Sequence, residues 1–531
     1  MSAAAAAEAE TREFLGHLAA RDIQAAATPA YRGGEINRSN ARWLPPQRSA
    51  DSAINEGWSI LHPRARDQGR NDPWLRGARR RMVRRTIGCG ILAQADARSG
   101  SAPDGELNRE ADEAFERWAN EEADASGRWT WAQMQRLLFG ELREAGEVIL
   151  LRCADPDPQR TVPLCYQIVE SEQIASDLFI TSGSQIVKGN RVIRGIEIDE
   201  WFRPVAYYIR QPHPYGLDVF GMPAGGGFLP QRIPASRVIH LYDPDRPSAT
   251  RGMSGYAAVT QTAKDLEWLV GNELVKSYVS ALFTVGIKRK QANSTGVGVG
   301  DADDAANVGT PANLLERLGR GLLADLGTED SVETIQSNVQ SPQLAPFCKL
   351  VLMMMAAGLD MSYIGLTGDY ASANFSAARA AGNDDWEQIE IWQEDFGLRP
   401  VLTVYRDFIA AAAAAGRFKR LSAATFAKDP RRWTRATLHA PGRKQVEPDA
   451  ETNAAIKRIL SGLSTWKDEL ARLGLDYRQV FAQLAMEWRM LDDAGLKSDM
   501  QNLALALGST VVQSGRPADS ESKSAKDEET D

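Results

Sequence analysis

The sequence predicts an α+β protein in which antiparallel strands are flanked by long helices. Short apolar runs are separated by connections rich in Pro, Gly and Asp, which is typical of strands joined by turns. The runs follow one another without regular crossover helices, and this order favours antiparallel pairing. The predicted strands occupy residues 148–153, 164–170, 191–199, 205–211 and 237–241.

Apolar residues at helical spacing predict long helices on the C-terminal side of the strands. The first covers residues 256–282 and the second about 343–359. A third begins near Phe375 and is interrupted by Pro400, which cannot donate a backbone hydrogen bond. The block 450–513 is helical again, so helices dominate the second half of the chain.

A strongly basic helix is predicted before the strands. Asp72 and Pro73 mark its start, because Asp accepts N-cap hydrogen bonds and Pro suits the first helical turn. The helix continues to about Thr86. Its arginines either bind nucleic acid or form a solvated face that pairs with carboxylates of an adjacent subunit, and the acidic chain favours the second. They are Arg76, Arg79, Arg80, Arg81, Arg84 and Arg85.

The composition excludes several classes of protein. The chain has 531 residues, 43% apolar and 25% charged, which are ordinary globular values. Its net charge of −8 argues against a protein that coats nucleic acid. The four cysteines form no C-x-x-C pair, and H-E-x-x-H is absent, so no metal site is predicted. The pattern G-x-x-x-x-G-K-[ST] is also absent, so we expect no nucleotide cofactor and no ATP hydrolysis by this chain alone.

We expect neither a signal peptide nor a membrane-spanning segment, and we expect three flexible regions. The N-terminus lacks a basic n-region, and the longest apolar run, 350–359, is too short to cross a membrane. We expect residues 1–50 to form a flexible arm with a short helix near 8–25. The segment 291–312 is a predicted flexible loop. The tail 514–531 has six acidic and three basic residues and is predicted to be disordered.

Six segments in order resemble the lambda-type portal proteins of tailed bacteriophages. The first is Arg64-Ala65-Arg66-Asp67, followed by NDPWLRGA and IGCGI at 87–91. The others are GEVILL at 146–151, PVAYYI at 204–209, RIPASRVIHLYDPDRPSATRGMS at 232–254, LTGDYASANFSAARAA at 366–381 and the block 447–491. Each match is weak alone, but together they span more than 400 residues in register.

The resemblance implies a structural conduit. Similar proteins form a homo-oligomeric ring, usually a dodecamer, at one capsid vertex of the virion. Double-stranded DNA passes through the ring during packaging and ejection, without sequence specificity. The implied partners are the large subunit of the terminase, the major capsid or scaffold protein and the head–tail joining proteins, with assembly in the host cytoplasm. No membrane is involved.

The resemblance also implies layers along the chain. We expect a wing over 51–255, a first stem helix over 256–282 and a small α/β clip over 283–342. A second stem helix over 343–360 and a tunnel loop over 361–374 would follow. A tunnel helix that returns to the wing would cover 375–440, and a helical crown would cover 441–513.

The predicted tunnel loop supplies the candidate DNA contacts. Its glycines, Gly365 and Gly368, and its lack of apolar periodicity predict a mobile segment. Asp369 and Tyr370 are the predicted tips that face the duplex. The turn chemistry alone allows another interpretation, in which the segment is a solvated turn and Asp369 caps the next segment. The full candidate set is Thr367, Asp369, Tyr370, Ser372 and Asn374.

Two other functions remain open at the level of sequence. A metal-dependent DNA-processing enzyme would need carboxylates such as Asp243, Asp245 and Asp369 to converge on one site. A capsid scaffold or adaptor would be monomeric. The mass of the purified protein separates a ring from a monomer, and a cleavage assay with Mg²⁺ tests the enzyme.

Overall fold

A computed structural model describes most of the chain between residues 38 and 496. The described residues are 38, 40–99, 102–180, 189–211, 229–282, 286–288, 331–333, 343–371, 374–443, 447–475 and 477–496. The predicted helix near 8–25, the loop 291–312 and the tail 514–531 lie outside them, as do most of the predicted arm and clip. Among the described residues, no helix is both long and apolar enough to cross a membrane.

Two helices open the described chain, and only the second was predicted from the sequence. Helix α1 spans Ala50–Asn71 and α2 spans Pro73–Thr86. The Asp72 carboxylate accepts hydrogen bonds from the backbone N–H groups of Trp74 and Leu75 at 2.9 and 2.8 Å, which confirms the predicted start. One face of α2 is buried while its arginines stay on the other faces, so the helix is amphipathic.

Two further helices and three short strands follow. The strands are β1 (Leu92–Ala95), β2 (Arg98–Ser99) and β3 (Ala102–Pro103), and the helices are α3 (Gly105–Glu121) and α4 (Trp131–Ala145). Trp118 and Trp131 are buried, whereas Trp129 is half-buried beneath the guanidinium of Arg128.

The central strands form two antiparallel sheets, which confirms the predicted α+β class. Strands β4 (Glu147–Cys153), β5 (Cys165–Val169) and β10 (Val238–Tyr242) pair in the order β10-β4-β5. Strands β6 (Arg191–Ile193), β7 (Ile196–Ile198), β8 (Pro204–Ile209) and β9 (Gln231–Pro234) pair in sequence order. The predicted strand 191–199 is wrong in detail: it is a hairpin that turns at Arg194 and Gly195, both at positive φ.

The second half of the described chain is mainly helical. It contains α5 (Thr260–Leu282), a small antiparallel pair β11 (Gly286–Lys288) and β12 (Ser331–Glu333), then α6 (Leu344–Gly358), α7 (Tyr363–Thr367) and α8 (Phe375–Phe396). A π-helical turn at Gly397–Val401 connects α8 to α9 (Leu402–Ala414). Pro400 therefore widens the helix locally rather than ending it. Proline has no backbone N–H to donate, and the π-helical turn accommodates the lost hydrogen bond.

Strand β13 returns the chain to its N-terminal part. Two short helices, α10 (Ala423–Lys428) and α11 (Pro430–Trp433), precede β13 (Ala436–His439), which pairs with β1 in antiparallel register. Three mostly exposed helices end the described chain: α12 (Pro448–Leu460), α13 (Trp466–Arg472) and α14 (Tyr477–Asp493).

The main core joins residues from both halves of the chain. Phe115 and Trp118 of α3 pack on Tyr405 and Phe408 of α9, with ring centroids 5.2 Å apart for Phe115 and Tyr405 and 5.3 Å apart for Trp118 and Phe408. This packing fixes α9 on the N-terminal helices, and so it also fixes the position of α8.

Candidate functional site

The predicted tunnel loop contains a short helix that packs on the core. Ser362 caps α7 by accepting a hydrogen bond from the N–H of Gly365, and Gly368 ends the helix at a φ of 72°. Leu366 is completely buried. The prediction of an irregular loop is therefore wrong for residues 363–367, because tertiary contacts outweigh the poor helix propensity of the two glycines.

A buried carboxylate on α8 holds the start of this segment. Asp385 accepts hydrogen bonds from the backbone N–H of Ser362 at 2.6 Å and from its hydroxyl at 3.0 Å. It also pairs with Arg85 of α2 at 2.8 Å, and its side chain is 5% exposed. A Cβ at Gly365 would collide with Asp385 Oδ2. Glycine at this position is thus what allows α7 to approach α8 closely.

The basic helix holds the other end of the segment. Arg81 donates a hydrogen bond to the carbonyl of Leu366, one of the carbonyls left without a partner at the C-terminal end of α7. Arg81 and Arg85 lie about one helical turn apart on α2. Two of the six predicted arginines therefore bind groups of their own chain that position the candidate segment.

The predicted tip emerges beyond Gly368. Tyr370 is 63% exposed. The Asp369 carboxylate accepts hydrogen bonds from the hydroxyl of Tyr363 at 3.3 Å and from the N–H of Ala371 at 3.2 Å. Burial and the charge of Asp369 raise the pKa of Tyr363 above its ordinary value, which keeps this hydroxyl a donor.

The other predicted tip residues support the backbone. Thr367 donates to the carbonyl of Tyr363 at 2.8 Å and accepts from the N–H of Asp369 at 3.2 Å. Asn374 caps α8 by accepting from the N–H of Ala377 at 2.8 Å, so Asp369 is not the cap. Ser372 lies outside the described residues.

The remaining arginines of α2 divide into two groups. Arg79 pairs with Glu144 at 2.9 Å and lies 3.7 Å from Glu141, so it too binds its own chain. Arg76 donates to the backbone carbonyl of Arg70, at 3.4 Å. Arg80 and Arg84 are exposed, and neither forms an ion pair within the part of the chain that the structure describes.

A half-buried charge network lies beneath α2. Arg66 binds Glu141, Glu144 and Glu172, with its Nε 2.9 Å from Glu172 Oε1. Burial raises the pKa of Glu144 despite the nearby guanidinium groups of Arg79 and Arg66. Burial would also raise the pKa of Glu172, but hydrogen bonds from His62 and Arg66 hold that pKa well below its ordinary value.

Sequence reasoning missed a cluster of Ser, His and Glu in this network. Ser171 Oγ lies 3.2 Å from His62 Nε2, and the same nitrogen lies 2.8 Å from Glu172 Oε1. A catalytic triad needs its serine and its acid on opposite ring nitrogens, which this cluster does not provide. Ser171 is also completely buried, so the arrangement is structural.

The quoted motif segments converge on a second buried ion pair. Glu147 of GEVILL accepts hydrogen bonds from Arg251 Nε at 2.8 and 2.7 Å, and it also lies 3.2 Å from His240 Nε2. These interactions keep the pKa of Glu147 far below its ordinary value although burial alone would raise it. The motif residues therefore join β4, β10 and the chain that enters α5, across about 100 residues of sequence.

The carboxylates of the enzyme alternative do not form a metal site. Asp243 pairs with Arg143 at 3.0 Å, whereas Asp369 binds Tyr363. In the described ranges, no group of three or more His, Cys, Asp and Glu side chains could hold a metal ion.

Comparison with known proteins gives a consistent result. A family model described as phage portal protein, lambda family, matches residues 37–393. The chain is 26% identical over 503 residues to the probable portal protein of Halomonas phage phiHAP-1, covering 93% of each. It is 24% identical over 524 residues to portal protein B of Escherichia phage lambda, covering 93% of this chain and 94% of that protein.

One solved structure with a similar chain is the neck of a native gene transfer agent particle, computed with C12 symmetry. The two chains are 13% identical, with a TM-score of 0.39, over 81% of this chain and 95% of that chain. The family model alone covers well over half of the sequence. The chain therefore belongs to the lambda family of phage portal proteins, as its motifs predict.

Proposed function

We propose that this chain forms a closed ring, expected to be a dodecamer, at one vertex of a phage capsid in the virion. Double-stranded DNA would pass through the ring during packaging and ejection. The support is membership of the portal family together with one structural observation, the apolar face that α5 and α6 leave uncovered.

This face consists of large side chains that a single subunit does not bury. On α5, Trp268 is 71% and Tyr278 is 68% exposed, and Leu274 and Val275 are also exposed. Exposed residues on α6 are Phe347, Leu350, Met353 and Met354. Large apolar side chains exposed along one helix are typical of an interaction site, since burying them contributes about 25 cal/mol per Å². Neighbouring copies in a ring would cover it through one repeated contact.

The tip at Asp369 and Tyr370 is the proposed contact with DNA. DNA carries one negative charge per about 1.7 Å of its axis, so a channel rich in Lys and Arg would hold it tightly. A carboxylate beside an exposed ring gives weak contact that does not depend on sequence. One such tip per subunit would form a collar around a sliding duplex.

The other layers keep their expected roles in this proposal. The clip, 283–342, would dock the terminase, which supplies the ATPase, and later the head–tail joining proteins. The wing, 51–255, would contact the capsid or scaffold protein, and the crown would be 441–513. Assembly would take place in the host cytoplasm, and the chain itself would catalyse no reaction.

The test is to assemble particles with rings that carry Asp369→Lys and Tyr370→Ala. We expect rings and capsids to form, because little core is changed, but DNA retention to fall. The added positive charges would make the defect depend on salt. Asp449→Lys on α12 makes the same charge change elsewhere and should retain DNA normally. Normal retention at low and high salt by the double variant would remove this segment from the DNA path.

A further inference from the structure

A groove beside α2 is lined by both arginines and apolar side chains. It lies between α2 and the start of α4 and encloses about 480 Å³. We call it the arginine groove. Its basic lining, here called the rim, is Arg80, Arg84 and Arg136, and its apolar lining, here called the floor, is Val83, Trp129 and Leu137.

The rim carries positive charge that the described chain does not neutralise. Arg80 and Arg84 are exposed, and Arg136 donates to the backbone carbonyl of Gly88, at 3.1 Å. Arg128 adds a fourth guanidinium, which lies over the Trp129 ring at 4.3 Å. Within the described ranges none of these four has a carboxylate partner, whereas Arg79 on the same helix has two. Among the described residues, the groove therefore has no anionic partner.

The small volume of the groove favours an extended acidic peptide over a DNA duplex as its anionic partner. A DNA duplex is far wider than a groove of this volume, so its phosphates could reach the rim but not the floor. An extended acidic peptide fits better, because its carboxylates can bind the guanidinium groups in bidentate geometry. Its aliphatic carbons can then cover Val83 and Leu137.

We propose that the arginine groove binds the acidic C-terminal segment of this chain, residues 519–531. The segment contains six acidic and two basic residues, and four of its last five residues are acidic. Its net charge is opposite to that of the rim. Occupancy of the groove would also shield these arginines from nonspecific contact with DNA.

The C-terminal part of the chain begins beside the groove. Gln393 donates to the carbonyls of both Thr86 and Pro441, at 3.1 and 3.0 Å. A Cβ on Gly88, which lines the groove, would lie 3.0 Å from Pro441 Cγ. Further along, Arg478 of α14 donates to the carbonyl of Ala95 at 3.1 Å. The first two contacts place Pro441, just after β13, beside the groove, and the third holds α14 against β1.

The length of the connecting chain allows a long reach. The stretch between residues 496 and 519 can span at most about 75 Å when fully extended. Because the segment is tethered, its effective concentration near the groove is in the millimolar range. Even weak contacts would therefore keep the groove largely occupied.

The experiment measures binding of a fluorescent peptide of residues 519–531 by anisotropy. The protein is the full-length chain with its own tail neutralised by Asp527→Asn, Glu528→Gln, Glu529→Gln and Asp531→Asn. We expect the peptide to bind this chain about tenfold more tightly than the unmodified chain, whose charged tail competes. A peptide with all six acids converted to amides should not bind.

Charge reversal locates the site. In the neutralised chain, Arg80→Glu with Arg84→Glu should weaken peptide binding at least about tenfold. The matched control, Arg70→Glu with Arg76→Glu, reverses the same number of nearby exposed charges outside the groove and should change binding less than about twofold.

Several results would overturn the proposal. One is equal binding of charged and neutral peptides, and another is an equal loss in the two double variants. Binding of a DNA duplex that needs Arg80 and Arg84 and that the peptide does not displace would assign the groove to nucleic acid instead. These readouts are independent of ring formation and DNA retention, so failure here would leave the proposed function intact.

Discussion

Replacing Asp385 with Ala tests whether this carboxylate holds the candidate channel segment. The substitution removes two hydrogen bonds to Ser362 and the partner of Arg85. Removing one member of a buried ion pair costs about 3–5 kcal/mol. The Arg85 side chain is 33% exposed, so water replaces part of the lost interaction. We therefore expect segment 361–371 to open more easily by about 2–3 kcal/mol.

Hydrogen exchange of the segment measures this change directly. A decrease of about 2.8 kcal/mol in the opening free energy corresponds to about 100-fold faster exchange in α7. Asp384→Ala, at an exposed position next to Asp385 on α8, is the matched control and should leave exchange unchanged. Unchanged exchange in Asp385→Ala would refute the clamp. Equally faster exchange throughout α2 and α8 would mean that the substitution unfolds the core instead.

Three further predictions follow from individual contacts. Gly365→Ala should lower the melting temperature, because its Cβ would collide with Asp385, and an unchanged value would show that α7 can move away. Glu172→Gln should make the unfolding free energy depend less strongly on pH in the acidic range. The folded-state pKa of Glu172 lies below its ordinary 4.5, so its ion pairs stabilise the fold above about pH 4.5 and are lost as the pH falls. An unchanged dependence of the unfolding free energy on pH in Glu172→Gln would contradict this role. Leu274→Glu with Tyr278→Glu should abolish large oligomers in light scattering, yet leave the melting temperature of the subunit nearly unchanged, since both side chains are exposed; intact oligomers would remove α5 from the interface.

Local signals in the sequence were sufficient for several of the regular elements. The cap at Asp72 and the apolar periodicity of α5 and α6 predicted helices within a few residues of the observed bounds. The alternation of short strands and turns predicted antiparallel sheets. These features depend on neighbours in sequence, which is the information that propensity and periodicity contain.

Elements that depend on distant residues could not be predicted. Helix α7 contains Gly365 and precedes Gly368, and it forms because Asp385 and Arg81 supply hydrogen bonds from other helices. The hairpin at Arg194 was hidden because a bulky residue occupies a position of positive φ that usually signals Gly or Asn.

The residues of the candidate site could be predicted from the sequence, but their contacts could not. The excess of arginine on α2 was visible in the sequence. Their division was not, because Glu144 and Asp385 lie 65 and 300 residues away from Arg79 and Arg85. Pairing with a neighbouring subunit therefore stays a prediction for Arg76, Arg80 and Arg84, which have no carboxylate partner among the described residues. For Arg80 and Arg84, the acidic segment proposed above is the alternative partner.

The central claim is that the chain forms a closed ring, and the mass of the purified full-length protein tests it most directly. Native mass spectrometry, without DNA or other phage proteins, should give a discrete particle of about 700 kDa, twelve times the subunit mass of 58.2 kDa. Electron micrographs of the same sample should show rings with a central hole. A monomer of 58.2 kDa at micromolar concentration, or open filaments of indefinite length, would contradict the account.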